Sequence, residues 1–187
     1  IKQKIFNAVI STQITEGLAF YTSFACSFWF GYRGMMVGNA DIIKLIHKDE
    51  SQHVAITQNI IKNWRNNKDE GFQDILAKNE ETVYEAYRLA VKNEEDWADY
   101  LFSKGSVIGL HPEILKLYIR WLADNRLQSI GFKKIYNVKT NPIGGWLDSY
   151  LDESKIQQAP QEKELTTYKI GSRNNDIDST DFGGVEL

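Results

Sequence analysis

The sequence holds one cysteine, three prolines and three histidines among 187 residues. A single cysteine excludes a disulfide framework within the chain. Cys26 stands in an apolar run and reads as a small buried hydrophobe. So few prolines, with no apolar–polar alternation longer than four residues, exclude a sheet-rich domain. A basic excess is missing: 22 Lys and Arg stand against 25 Asp and Glu, a net charge of −3, and no basic cluster offsets it. That argues against a nucleic-acid surface. The longest apolar run, Phe24–Phe30, is too short to cross a bilayer and contains Ser27. No basic start leads into a hydrophobic segment with a cleavage site. Together these absences predict a cytoplasmic chain with neither membrane nor nucleic acid as partner.

What is present is a globular composition, 42% apolar and 25% charged, long enough for one domain with a real core. A helical pattern is already running at Lys2–Ile10, and the first residue is Ile1 rather than Met, so the chain reads as one entered in the middle of a protein. The spacing predicts a first helix from about residue 2 to about 30, broken at Gly31 and Gly34. Asn39 is the expected N-cap of a second, carrying Ile42, Ile43, Ile46, Glu50, His53, Ile60, Ile61 and Trp64. A third is expected over about 72–95, with Ile75, Leu76, Val83, Tyr87 and Val91 inward, then a short one over 96–102. Pro112 suits a first helical residue and opens another that runs to about Ile130. The expected fold is an all-α bundle over residues 1–156. Residues 157–187 are polar with scattered anchors (Tyr168, Ile170, Ile177, Phe182, Val185, Leu187) and read as a tail that docks to a partner.

The chemistry concentrates in Glu50-x-x-His53. Ile46, Glu50, His53, Thr57, Ile60 and Trp64 step by three or four, which keeps them on one helical face and aims the ligand pair into a core. Upstream, Glu16, Phe20, Phe24 and Phe28 are spaced by four. A carboxylate and an imidazole aimed inward are costly unless satisfied, and a metal would satisfy them. Oxygen and nitrogen donors without thiolates suit iron or manganese. One inward Glu and one Glu-x-x-His make half of the set of about four carboxylates and two histidines found in di-metal helical bundles. His47 falls off this face and reads as a surface residue; His111, before Pro112, reads as a turn residue. Two other readings stay open: a fragment of a different di-iron oxygenase or desaturase, or a non-catalytic helical protein whose Glu16, Glu50 and His53 pair among themselves.

Longer stretches carry a resemblance. Glu16–Phe28 (EGLAFYTSFACSF), Gly38-Asn39-Ala40 followed by Ile46-x-x-Asp49-Glu50-x-x-His53, Asp96–Phe102 (DWADYLF), Gly105-Ser106, Ile108-Gly109-Leu110, Asn141-Pro142-Ile143 and the tail's Ala159-Pro160-Gln161-Glu162 with Tyr168 resemble the class I ribonucleotide reductase small (β, radical-generating) subunit, of the bacterial and phage class Ia type. The likeness runs over essentially the whole chain and corresponds to that subunit's C-terminal portion.

The resemblance implies a ferritin-like helical fold and a di-iron centre, manganese being an alternative with the same ligands. That centre would oxidise a tyrosine to a radical, whose equivalent passes to a large (α) subunit where ribonucleotides are reduced. On this pattern Glu16, Glu50 and His53 match metal ligands, and Phe20, Phe24 and Ile46 match the apolar shell of the radical tyrosine. Asp49 matches a carboxylate joining a first-half histidine to the transfer route. Tyr168 matches the tail tyrosine that relays the radical, and Glu162 a tail carboxylate that assists it. The first-half ligands, the radical tyrosine and the transfer tryptophan have no counterpart here, and Tyr21 does not match the radical position. The resemblance thus implies a companion chain or a missing N-terminal half, a dimeric small subunit, and no activity for this chain alone.

Overall fold

The computed structural model describes residues 1–67 and 71–151, the last three of these by backbone only. The expected tail, with Tyr168 and Glu162, lies outside the described residues. Seven helices occur among those described: α1 Lys2–Leu18, α2 Tyr21–Tyr32, α3 Val37–Asn66, α4 Gln73–Lys78, α5 Glu80–Leu101, α6 Pro112–Ser129 and α7 Gly144–Leu151. No strand accompanies them; Val107 and Leu110 form an isolated bridge. No described helix is long and apolar enough to cross a membrane.

The long helix α3 carries α1 and α2 along it, and α5 packs on α6. Between the layers lie Phe6, Leu18, Tyr21, Phe28, Ile61, Tyr87, Leu115, Tyr118, Ile119 and Leu127, each 1% exposed or less. Burying such side chains supplies about 1.5–3 kcal/mol apiece, the largest favourable contribution to folding. As anticipated, Pro112 is at the start of α6, and Leu76, Val83, Tyr87 and Val91 point inward.

Four details differ from expectation. The first helix is two, parted at Ala19 and Phe20. In an unbroken helix the Gly17 carbonyl would take the Tyr21 N–H and the Leu18 carbonyl the Thr22 N–H. Here Gly17 O accepts Arg126 Nε at 3.2 Å from α6, and the Thr22 N–H donates to Glu94 Oε2 at 3.1 Å from α5. Side chains of neighbouring helices take over bonds at the break, and the Glu94 carboxylate sits at the positive end of α2. Second, α3 begins at Val37 behind Met36, which adopts the left-handed conformation (φ 51°), so Asn39 is inside the helix rather than its cap. Third, the helix expected over 72–95 is two, α4 and α5, parted at Asn79, and α5 runs through residues 96–101 without interruption. Fourth, α7 was not anticipated.

Asp124 organises the loop leading to α7. Its fully buried carboxylate accepts the backbone N–H groups of Ile135 and Tyr136 on Oδ1 (2.8 and 2.9 Å) and that of Val138 on Oδ2 (3.1 Å).

Candidate metal centre

Register on α3 decides where the ligand pair points. The buried residues of this helix are Ala40, His47, Val54, Thr57, Ile61 and Trp64. The seven-residue steps from Ala40 through His47 and Val54 to Ile61 mark the line facing α1 and α2. Glu50 and Ile60 lie half-buried on its flank, while Ile46 and His53 are exposed. The expectation that Glu50 and His53 point straight into a core is therefore corrected: the core line is rotated one position, because Ala40, Val54 and Ile61 fill it. His47, expected at the surface, is 6% exposed, its ring edge-on to Tyr21, Phe24 and Phe28 with centroids 5.5, 6.1 and 6.3 Å away. A small, flat imidazole fits among aromatic rings where a longer side chain would not.

The three residues singled out by spacing nevertheless meet. Glu16 on α1 and Glu50 and His53 on α3 each bring a ligand atom within 4.8 Å of the others. His53 Nδ1 lies 2.8 Å from Glu50 Oε2 and 3.7 Å from Glu16 Oε2. The side chains of His53, Glu16 and Glu50 are 52%, 25% and 15% exposed, so the cluster opens outward from the α1–α3 pair.

The charges are arranged as a site short of positive charge. Glu16 is pushed above the ordinary carboxylate range, first by its hydrogen bond with Glu50 and then by burial. Glu50 is pulled down, chiefly by that same bond from Glu16 and then by His53. His53 is held above the usual imidazole value by its hydrogen bond with Glu50. Two carboxylates this close share a proton or recruit a cation. Two carboxylate oxygens and an imidazole nitrogen converging within 4.8 Å fit a divalent iron or manganese ion, the hard-to-intermediate metals such donors suit.

The apolar residues expected beside the metals divide. Phe24 is buried, with Phe20 stacked on it at 6.1 Å and Phe28 tilted against it at 6.3 Å, so the stripe survives the helix break. Phe20 and Ile46 are 40% and 39% exposed. Ile42 and Ile56 continue the Ile46–His53 stripe of α3 at 53% and 57% exposure, with Asp49 exposed among them. Cys26 is partly buried beside the core, and burial pushes its thiol up to about 11.

Residues 2–142 match the family described as ribonucleotide reductase, small chain. The chain is 37% identical over 190 residues to the ribonucleoside-diphosphate reductase subunit beta of Buchnera aphidicola from Acyrthosiphon pisum, covering all of this chain and 50% of that protein. Against the ribonucleoside-diphosphate reductase 1 subunit beta of Escherichia coli O157:H7 the identity is 36% over 188 residues, with the same coverage. The subunit beta of Enterobacteria phage T4 is 34% identical over 167 residues, covering 87% of this chain and 43% of its own. Among solved structures, the ribonucleotide reductase R2 subunit from Clostridium botulinum superposes with a TM-score of 0.69 at 31% identity, over 78% of this chain and 45% of that one. The chain thus spans about half the length of the curated relatives it matches.

Proposed function

Because the chain belongs to the family of ribonucleotide reductase small chains, we propose that it is the C-terminal part of a ribonucleoside-diphosphate reductase small subunit, supplying half of a di-iron centre and the tail that meets the large subunit. Its helical architecture is the ferritin-like fold of that family.

One observation carries the reading. The Glu16–Glu50–His53 cluster opens on a face flanked by exposed Phe20, Ile42, Ile46 and Ile56. Apolar side chains on both sides of a polar cluster are what the seam of a four-helix metal bundle presents before its other two helices are added. The occupant is a polypeptide equivalent to the half of the relatives that this chain does not span, bearing the complementary ligands and the radical tyrosine. When bound, the di-iron group would supply the one-electron oxidation of that tyrosine. This chain's residues would do the rest. Glu16 and Glu50 would neutralise the metal charge, and His53 would give up its proton to bind. Phe20, Phe24 and Ile46 would exclude water, and Asp49 would take a hydrogen bond from a ligand across the seam. Tyr168, with Glu162 nearby, would pass the oxidising equivalent to the large subunit. The oxygenase or desaturase reading has no use for such a tail.

Co-expression with the polypeptide carrying the other half tests the proposal. The complex is expected to hold two metal ions per pair and to reduce ribonucleoside diphosphates when the large subunit is added. Tyr168→Phe in that complex is expected to keep metal and radical while losing turnover, since phenylalanine cannot be oxidised at a usable potential. Turnover near wild type in that variant would remove Tyr168 from the relay.

A further inference from the structure

The half-site is held from behind by an arginine that touches none of its three ligands. Arg126, half-buried on α6, donates Nε–H to the Gly17 carbonyl at 3.2 Å and Nη2–H to the Tyr21 hydroxyl oxygen at 3.0 Å. Its guanidinium carbon lies 5.5 Å from the Tyr21 ring centre. The first bond grips the residue directly after Glu16, at the end of α1. The second grips the opening residue of α2, so one planar fork spans the break that follows the ligand. A guanidinium suits this role because its donors are fixed in a plane.

The same fork reaches the other ligand helix. Tyr21 is 1% exposed, and it packs edge-on against His47 of α3 with ring centroids 5.5 Å apart. Ser51 follows Glu50 directly and donates its own hydroxyl to the His47 carbonyl at 2.9 Å. From Arg126 through Tyr21 and His47 to Ser51, then, contacts lead from the backbone beside Glu16 to the residue beside Glu50. The residue after Glu16 also allows the approach. A Cβ on Gly17 would lie 3.4 Å from both Arg126 Nε and Val54 Cγ2, at the close edge of ordinary van der Waals contact.

We propose that Arg126 is the positioning residue of the half-site, setting the spacing between Glu16 on α1 and Glu50 on α3 through Gly17, Tyr21, His47 and Ser51. This rests on the reading of Glu16, Glu50 and His53 as metal ligands. Groups that orient ligands without touching the metal typically change affinity 10–100-fold when removed. Arg126 acts through the backbone and a phenol rather than on the reacting atoms, so its signature is metal affinity at constant fold.

The test is a titration with Mn(II), following the free-ion electron paramagnetic resonance signal. It uses the 187-residue chain together with the polypeptide carrying the other half. Arg126→Gln and Arg126→Lys are each expected to weaken Mn(II) binding by about 10–100-fold, because neither replaces the fixed planar fork that holds Gly17 and Tyr21 together. Tyr21→Phe, which keeps the Gly17 bond, should weaken binding less. Asp124→Asn supplies the control: it loosens the same helix's loop contacts, lowers the melting temperature and should leave Mn(II) affinity unchanged. Wild-type affinity in both Arg126 variants would overturn the proposal. So would an equal loss in Asp124→Asn, which would mark a general effect of a loosened fold. A wild-type complex that takes up neither Mn(II) nor Fe(II) would instead overturn the ligand reading beneath it.

Discussion

Two carboxylate sites in this chain make opposite statements. Asp124 on α6 is fully buried, and its oxygens accept three backbone N–H groups from one loop. Everything that satisfies it is supplied by this polypeptide. Glu16 and Glu50, on the α1–α3 pair, have each other and an exposed histidine, and each shifts the other's protonation. The first site is complete and explains a fold. The second is crowded with negative charge, open to one side and bordered by exposed isoleucines, the features that the proposed cation and second polypeptide would complete. A carboxylate finished by its own chain is structural; one left with a competing carboxylate is where ligand chemistry belongs.

That contrast can be broken most forcefully at Asp124. Asp124→Ala would strand three N–H groups of the 135–138 loop; hydrogen bonds to a charged group contribute about 1.5–3 kcal/mol each, net of exchange with water, and bonds sharing one carboxylate do not add. A loss of about 3 kcal/mol in chemical denaturation is expected, with little change in metal affinity. A variant as stable as wild type would show that the loop does not depend on this carboxylate.

Glu50→Ala and His53→Ala should behave the other way, abolishing metal at this position while the far-ultraviolet circular dichroism stays that of a helical bundle. The Ala40–His47–Val54–Ile61 line packs α3 without them. A pH series sharpens the point. His53 is raised by Glu50, so its proton leaves only at higher pH than usual, and Glu16 is raised as well. Metal must displace those protons, so affinity should fall as pH drops through the range where they bind. Affinity that is flat with pH, or metal content unchanged in both variants, would make the cluster a structural pair.

The smallest effect belongs to Glu94, which resembles Asp124 in burial but accepts a single backbone N–H, from Thr22. Burial raises its pKa above the ordinary carboxylate value. A raised group contributes stability that is present below its unfolded pKa and lost as pH rises through the folded one. Glu94→Gln cannot ionise and keeps an oxygen for the Thr22 N–H. It should therefore melt slightly higher than wild type at neutral pH, the gap closing as pH falls toward 4.5. A clearly lower melting temperature at neutral pH would mean that the charge at the start of α2 outweighs its desolvation.

The contrast also explains which parts were legible in the sequence. The meeting of Glu16, Glu50 and His53 followed from helical spacing alone, because a ligand cluster needs only the right faces of two packed helices. The orientation of α3 did not follow. That helix carries apolar residues on two faces, Ala40, Val54 and Ile61 on one and Ile42, Ile46 and Ile56 on the other, and spacing does not say which is covered within this chain. The larger isoleucines drew the expected core onto the exposed face, and His47 was misplaced with it. Asp124, Arg126 and the α1–α2 break were invisible for a different reason. Arg126 meets Gly17 and Tyr21, and Glu94 meets Thr22, across long stretches of sequence, while Asp124 reaches beyond its own helix to the backbone of a loop. No local pattern marks such pairings.

Whether this chain carries half of a dinuclear metal site is decided most directly by counting iron by elemental analysis, on the chain alone and on its complex with the polypeptide carrying the other half. At most one weakly held ion is expected on the chain alone and two tightly held ions per pair in the complex. Two tightly bound irons on the isolated monomer, or none in the complex, would contradict the half-site reading.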